Sequence, residues 1–125
     1  MGNVTVSATF AASVQEAEGV WYDTDGWPQW IDGLARVLEV RGDWPREGSE
    51  VIWVSGPAGR GRVRELVTEF EPLMGQTVAV EDGSIAGTQR ATFEPAGDGV
   101  QVALSLVYRI KRRSPLTPCL LYTSD

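Results

Sequence analysis

Alternation of apolar and polar residues predicts that most of this chain forms β-strands. Residues 4–10 alternate with a period of two, which is typical of a half-buried strand whose apolar side chains share one inner face. After residue 34 the alternation returns between short segments rich in Gly, Pro and Asp. The predicted strands are residues 4–10, 35–41, 49–55, 60–70, 75–81, 87–94 and 99–110. Because short turns join the last six of them, we expect an antiparallel meander.

Two short helices are predicted between the first and second strands. Ser13 and Glu16 have the spacing of a capping box, in which each side chain binds the backbone amide of the other residue. The helix that follows has an apolar face formed by Val14, Ala17 and Trp21. Pro28 is well tolerated in a first helical turn, so a second short helix is expected there, with Trp27 and Trp30 on one side.

Composition and charge exclude several classes of function. The 125 residues suit one domain, and 42% are hydrophobic, which is enough for a core. The net charge of −6 disfavours nucleic acid as a partner because phosphates would be repelled. No apolar run approaches the roughly 20 residues of a membrane span, and the first residues do not have the pattern of a secretory signal. We therefore expect a cytoplasmic protein without stable membrane insertion.

The scarcity of histidine and cysteine limits the possible chemistry. The chain has no histidine and a single cysteine, Cys119. Ser-His-Asp triads, Cys-His dyads and the usual zinc sites are thereby excluded. We expect no metal and no cofactor. What remains is chemistry by carboxylate, tyrosine, arginine or lysine side chains, or binding without catalysis.

A strand, two short helices, six antiparallel strands and the start of a helix follow one another in the order of the helix-grip fold. The sequence resembles the START-like (SRPBCC) superfamily, specifically its bacterial polyketide cyclase/dehydrase branch, over about residues 3–118. The resemblance rests on Val4 to Glu16, the segment from Trp21 to Trp30, Gly48-Ser49 before a strand with Trp53, Phe70-Glu71-Pro72, Gly97-Asp98-Gly99 and Ser114-Pro115-Leu116. It implies an α+β fold: a curved antiparallel sheet of about seven strands, with two short helices after the first strand.

The resemblance also implies a long C-terminal helix, which we expect to be missing or incomplete in this chain. Only seven residues follow Pro118, and a ten-residue helix reaches about 15 Å, which is too short to cross the sheet. Residues 119–125 resemble translated adapter sequence. We therefore expect a single domain at residues 1–118, cut near Pro118, and a non-native or disordered tail at residues 119–125.

Large apolar side chains are the candidates for lining a ligand cavity between the sheet and the helices. The conspicuous aromatic residues are Trp21, Trp27, Trp30, Trp53, Phe70, Phe93 and Tyr108. The ligand-binding candidates are Trp27, Trp30, Trp53, Phe70, Phe93, Leu104, Leu106 and Tyr108. The alternative interpretation is that they form an ordinary core, because large aromatic residues dominate core energetics in any fold.

Three polar residues on strands are candidates for catalysis. Tyr108, Arg64 and Arg90 would polarise a substrate carbonyl if they point inward, which is the role that the resemblance implies for such side chains in cyclases. The alternative for the arginines is a solvated outer face with cross-strand ion pairs to glutamate. Their orientation therefore decides between the two interpretations.

The predicted function is binding of a hydrophobic or amphipathic small molecule, lipid or polyketide-like, in a cavity between sheet and helices. The alternative is a polyketide cyclase or dehydratase acting on a poly-β-keto substrate. A third hypothesis is a stress-response or toxin-like protein that acts through a protein partner. Because one fold hosts many functions, the sequence leaves open whether the chain is an enzyme, what its ligand is and what its oligomeric state is.

Overall fold

The computed structural model describes residues 2–56 and 61–111, which form a seven-stranded antiparallel sheet with two short helices. The strands lie in the order β1-β7-β6-β5-β4-β3-β2 across the sheet. They are β1 (Gly2–Phe10), β2 (Leu34–Arg41), β3 (Glu50–Ser55), β4 (Arg62–Glu71), β5 (Gly75–Glu81), β6 (Ile85–Ala96) and β7 (Gly99–Ile110). The helices are α1 (Val14–Tyr22) and α2 (Trp27–Trp30), with a single 3-10 turn at Thr24–Gly26 between them.

The predicted α+β helix-grip architecture is confirmed, with every predicted strand present and two helices after the first strand. Part of the predicted turn at residues 56–59 lies outside the described residues. So do the expected start of a final helix at residue 114, the truncation near Pro118 and the tail at residues 119–125. The longest helix in the described ranges, α1, has nine residues, and no described helix is long and apolar enough to cross a membrane.

Local hydrogen bonds fix the start of α1 and connect the two helices. The Ser13 hydroxyl accepts a hydrogen bond from the Glu16 amide at 3.0 Å, and the Glu16 carboxylate accepts one from the Ser13 amide at 2.9 Å. This is the capping box predicted from the sequence. The indole Nε1 of Trp27 donates to the carbonyl of Trp21 at 2.8 Å and so ties the start of α2 to the end of α1.

The main core lies on one half of the sheet. We call the sheet face that α1 and α2 cover the inner face, and the opposite one the outer face. The buried core cluster on the inner face consists of Trp27, Leu34, Val51, Trp53, Val63, Val67, Val78 and Val80. Most of these residues come from β3, β4 and β5, and burial of each large side chain contributes about 1.5–3 kcal/mol. This half of the sheet is therefore solidly packed under α2.

β1 differs from the half-buried strand that its alternation predicts. It pairs with β7 in unbroken register from Gly2 opposite Tyr108 to Phe10 opposite Val100. Val4, Val6 and Phe10 share the inner face as expected, yet they are 48%, 56% and 52% exposed. The alternation reports which side chains share a face and does not report whether anything covers that face. β1 lies at the end of the sheet, beyond the core cluster.

Irregular pairing bends the sheet. The register shifts between Val37 and Glu39 on β2 and between Val67 and Glu69 on β4. Extra residues of this kind increase the local twist of a strand and bend it. These shifts lie in the half of the sheet that carries the core cluster, whereas β1, β6 and β7 pair without a shift.

Candidate functional site: an apolar hollow

An apolar hollow of about 620 Å³ lies between the two helices and strands β1, β6 and β7. It is lined by Val6, Ser7, Ala8, Phe10, Ala11, Ala12, Glu16, Ala17, Val20, Trp21, Trp30, Phe93, Val102 and Leu104. Among these, only Ser7 and Glu16 are polar. The volume lies within the range of about 300–1,000 Å³ that is usual for small-molecule sites. We refer to this cavity as the hollow.

Each wall of the hollow follows from a local sequence pattern. Ala17 and Trp21 are one turn apart on α1 and therefore point the same way. On the sheet, Phe93 of β6 lies directly opposite Val102 of β7, which in turn lies opposite Ala8 of β1. The period of two places all three on the inner face. The hollow thus has a floor of paired strand residues and a roof supplied by α1.

Aromatic contacts fix the position of the roof. The rings of Trp21 and Trp30 are 5.7 Å apart at an interplanar angle of 45°. Trp21 also meets Phe93 edge to face at 6.3 Å, and Phe93 meets Tyr22 edge to face at 6.1 Å. Such pairs contribute about 0.5–1.5 kcal/mol beyond the area that they bury. The aromatic side of the hollow is therefore a preformed surface.

Tyr22 connects the hollow to the core. Its ring lies edge to face against Phe70 at 5.7 Å and against Trp44 at 6.3 Å. Burial, assisted by the negative charge of Glu18, raises the pKa of the Tyr22 hydroxyl above its ordinary value. Among the described residues this hydroxyl is buried without a hydrogen-bond partner. Tyr22 therefore remains a neutral packing residue at neutral pH.

Three of the predicted ligand-binding residues, Trp30, Phe93 and Leu104, line the hollow. Leu106 and Tyr108 follow Leu104 on the same face of β7, because the pairing of β6 with β7 continues without a shift to Tyr108 opposite Gly87. The ring of Tyr108 lies across Gly2 of β1, where even a methyl group would collide with it. A line of candidate residues therefore continues from the hollow along β7.

The other predicted ligand-binding residues lie elsewhere. Trp27 and Trp53 belong to the buried core cluster, with exposures of 3% and 8%. Phe70 packs against this cluster and also borders a second cavity of about 450 Å³, lined partly by Glu47 and Glu69. Sequence alone does not separate a core tryptophan from one that lines a cavity, because burial depends on which element covers the side chain.

The two candidate arginines lie on the outer face. Val63 and Glu65 point into the core, so Arg64 between them points outward, where its guanidinium donates to Glu50. Arg64 holds the pKa of Glu50 below its usual range. Arg90 precedes the buried Ala91, is exposed, and borders the second cavity. Neither arginine lines the hollow.

Glu65 is a buried carboxyl group that was not among the predicted site residues. Its Oε2 accepts a hydrogen bond from the Nε1 of Trp53 at 2.9 Å. Burial raises the pKa of Glu65, and the indole hydrogen bond only partly opposes this effect. The signal was present in the sequence, because Glu65 shares its period-two face with Val63 and Val67.

The described residues offer no metal site. Within residues 2–56 and 61–111, no three His, Cys, Asp or Glu side chains converge on a point that a metal ion would occupy. On the described strands, the acid–base groups of the inner face are the carboxyl group of Glu65 and the phenol of Tyr108. The carboxyl group of Glu16, on α1, also lines the hollow.

Solved structures of similar fold come from bacteria and plants. A START superfamily protein from Mycobacterium smegmatis has a TM-score of 0.73 and 17% identity, with 94% of this chain and 83% of that one covered. Norcoclaurine synthase from Thalictrum flavum, in complex with dopamine and hydroxybenzaldehyde, has a TM-score of 0.70 and 16% identity, with 87% and 69% covered. The protein DR_A0006 from Deinococcus radiodurans has a TM-score of 0.63 and 26% identity, with 87% and 83% covered. None of the curated proteins matches the chain.

The sequence matches one family model over nearly its full length. That model, described as polyketide cyclase/dehydrase and lipid transport, covers residues 1–119. The match agrees with the resemblance seen in the sequence, and the similar structures agree with the helix-grip fold. This chain belongs to the polyketide cyclase/dehydrase and lipid transport family.

Proposed function

We propose that this protein binds a hydrophobic or amphipathic small molecule, lipid or polyketide-like, in the hollow. The observation that carries the proposal is the lining of the hollow, where Trp21, Trp30 and Phe93 face aliphatic strand residues and almost no polar group intervenes. The description of the family, which names lipid transport beside cyclisation, supports the same class of ligand.

Apolar burial supplies the affinity in this proposal. Removal of apolar surface from water contributes about 25 cal/mol per Å², so burial of about 300 Å² of ligand contributes about 7.5 kcal/mol before the entropic costs of binding. The preformed contacts between Trp21, Trp30 and Phe93 reduce those costs, because the rings need no ordering when the ligand arrives.

The charge at the hollow favours neutral ligands over anionic ones. Glu16 lines the hollow, and its hydrogen bonds with Ser13 lower the pKa of its carboxyl group. An anionic headgroup beside this carboxylate would be repelled. Norcoclaurine synthase, which has a similar fold, is solved with dopamine and hydroxybenzaldehyde. Neither molecule is an anionic lipid, and both are small and aromatic. Small aromatic molecules are therefore the first class of ligand to test.

The proposal is tested with a variant in which a large side chain fills the hollow. Ala8→Trp places an indole on the floor of the hollow, whereas Thr88→Trp places the same group at an exposed position of β6. We expect the fluorescence of the neutral dye Nile red to show binding to the parent protein and to Thr88→Trp, with at least tenfold weaker binding to Ala8→Trp. Equal binding by the parent and Ala8→Trp, with circular dichroism showing both folded, would reject the hollow as the site.

A second candidate function is cyclisation or dehydration of a poly-β-keto substrate, and the buried Glu65 favours it. Glu65 lies opposite Val80, Val80 opposite Gly87, and Gly87 opposite Tyr108. Three strand spacings separate the two polar residues, about 14 Å between backbones. In this proposal, Tyr108 donates a hydrogen bond to one substrate carbonyl and Glu65 serves as acid or base at another.

The enzymatic candidate is tested with a poly-β-keto thioester, with loss of water followed by mass spectrometry. Glu65→Gln and Tyr108→Phe keep the shape of each side chain, so we expect at least tenfold slower conversion with unchanged Nile red binding. No conversion by the parent protein, with Nile red bound, would reject the enzyme and retain the binding protein.

A further inference from the structure

The outermost strand β1 is an exposed and unprotected edge. It is nine residues long, and residues 3–10 are all exposed. One side pairs with β7, and no other strand of residues 2–56 and 61–111 pairs with the other side. Its sequence, Gly-Asn-Val-Thr-Val-Ser-Ala-Thr-Phe, contains neither charge nor proline. Such an edge is a template for pairing with another chain.

The opposite edge of the same sheet is protected. β2 carries Arg36, Glu39 and Arg41, and its register with β3 shifts twice. Arg41 also forms an ion pair with Glu39 at 2.6 Å. Charges and bulges of this kind prevent edge-to-edge pairing in natural sheets. The contrast shows that one edge of this molecule is suited to a partner strand and the other is not.

The sequence of β1 is complementary to itself. In an antiparallel pair of two copies centred on Val6, this residue faces its own counterpart and Val4 faces Ala8 on the inner face. On the outer face, Thr5 faces Ser7, and small hydroxyl side chains pair well across strands. No like charges meet anywhere along the strand. A foreign strand would need this same neutral pattern, whereas a second copy has it already.

We propose that two copies of this chain associate through β1, as an antiparallel pair that joins their sheets into one. A two-fold axis perpendicular to the sheet keeps both inner faces on the same side, so the half-exposed Val4 and Val6 of each copy approach those of the other. Because Val6 also lines the hollow, the two hollows become neighbours. A strand edge is smaller than a standard interface of about 800 Å² per partner. We therefore expect a weak dimer with a dissociation constant on the order of 100 μM.

Sedimentation of the full chain at increasing concentration tests the proposal. We expect a monomer at low micromolar concentration and a dimer near millimolar concentration. The double variant Thr5→Lys/Ser7→Lys places lysines opposite each other in the dimer and should raise the dissociation constant at least tenfold. Gln29→Lys/Thr88→Lys adds the same charge at exposed positions away from β1 and should leave dimerisation unchanged.

A cysteine cross-link tests the register. In a Cys119→Ser background, Val6→Cys places two thiols opposite each other with Cα atoms about 4.5–5.5 Å apart, which suits a disulfide. We expect mild oxidation to cross-link Val6→Cys and not Thr88→Cys. A monomer at every concentration would overturn the proposal, and so would a dimer unaffected by the lysines in β1. In such a monomer, slow exchange of the β1 amides that point away from β7 would indicate that another segment of the same chain covers this edge.

Discussion

Trp27 and Trp30 are three residues apart on the same short helix, yet they have different surroundings. Trp27 is 3% exposed, packs against Trp44 and donates its indole hydrogen to Trp21. Trp30 is 44% exposed and borders the hollow. Loss of a buried tryptophan costs about 3–5 kcal/mol, whereas loss of a half-exposed one costs far less. Stability and ligand binding should therefore respond to different members of the pair.

We expect Trp27→Ala to lower the free energy of unfolding by about 3–5 kcal/mol. Trp30→Ala should lower it by less than about 1 kcal/mol and weaken Nile red binding several-fold, because it removes part of the aromatic wall. Urea unfolding and dye titration of the two variants measure both effects. The distinction would be wrong if Trp30→Ala unfolded the protein or left the dye affinity unchanged.

The carboxyl group of Glu65 makes stability depend on pH. Its pKa is raised in the folded protein, chiefly by burial, so the folded state favours the protonated form. The stabilisation is complete below the unfolded pKa and is lost as pH rises towards the folded value, at up to about 1.4 kcal/mol per pH unit. Glu65→Gln keeps an acceptor for Trp53 and cannot ionise. We therefore expect this variant to gain stability over the parent as pH rises above about 4.3, the ordinary pKa of glutamate.

Urea unfolding of Glu65→Gln and its parent between pH 4 and pH 8 measures this gain. The matched control is Glu94→Gln on the same sheet, where the side chain is exposed. If the difference in the free energy of unfolding between Glu65→Gln and the parent stayed constant with pH, this would contradict a raised pKa at Glu65.

At the residue scale, the sequence predicted which face of the sheet a side chain lies on better than it predicted what surrounds that side chain. The period of two correctly places Val4 and Val6 on the inner face, and it would have placed Glu65 there as well. It does not reveal that Trp53 binds Glu65 while Trp30 borders a cavity, because burial depends on which element covers a strand. Which element covers a strand depends on residues that are distant in the sequence, and a local pattern does not contain that information.

Two glycines within regular elements show how packing decides the effect of one methyl group. Gly19 lies inside α1, and a Cβ there would meet nothing within 4 Å. Gly87 lies on β6, where a Cβ would collide with the backbone of Val107 and with Tyr108. Alanine is favoured over glycine by about 1 kcal/mol within a helix, but overpacking costs about 1–3 kcal/mol.

We expect Gly19→Ala to raise the free energy of unfolding by about 0.5–1 kcal/mol and Gly87→Ala to lower it by at least 1 kcal/mol. Thermal and urea unfolding of both variants measure the two changes. A loss of stability in Gly19→Ala would mean that α1 needs the flexibility of glycine at this point, in conflict with the open space around it.

At the element scale, the strands and helix starts were predictable because their causes are local. Alternation predicted all of the strands, and the Ser13–Glu16 spacing predicted the first turn of α1. The bulges at Val67–Glu69 and on β2 were not predicted, because no glycine or proline marks them in the sequence. Such bulges increase the local twist of β2 and β4, which belong to the half of the sheet with the core cluster.

The whole molecule has two unlike halves that share one sheet. Beneath α2, strands β3 to β5 carry valines that are almost completely buried, such as Val51 and Val63 at 0% exposure. Beneath α1, strands β1, β6 and β7 border the hollow, and Val6 is 56% exposed. The core cluster lies in the first of these halves. In the proposed function the second half binds the ligand, and it contributes Ala91, Phe93 and Val100 to the buried residues.

Hydrogen exchange with and without ligand tests this division. A ligand in the hollow stabilises the elements around it, so we expect Nile red at saturation to slow amide exchange in α1, β1 and the hollow-facing parts of β6 and β7 severalfold. Amides that exchange only through global unfolding slow by the full gain in stability wherever they lie, so the comparison uses amides that exchange by local opening. Locally opening amides of β3 and β4 should be unchanged, and their protection around Trp53 and Glu65 would place the ligand in the other half. Ala8→Trp, which we expect to bind at least tenfold more weakly, provides the control. At the same dye concentration, its α1 amides should be less protected than those of the parent protein.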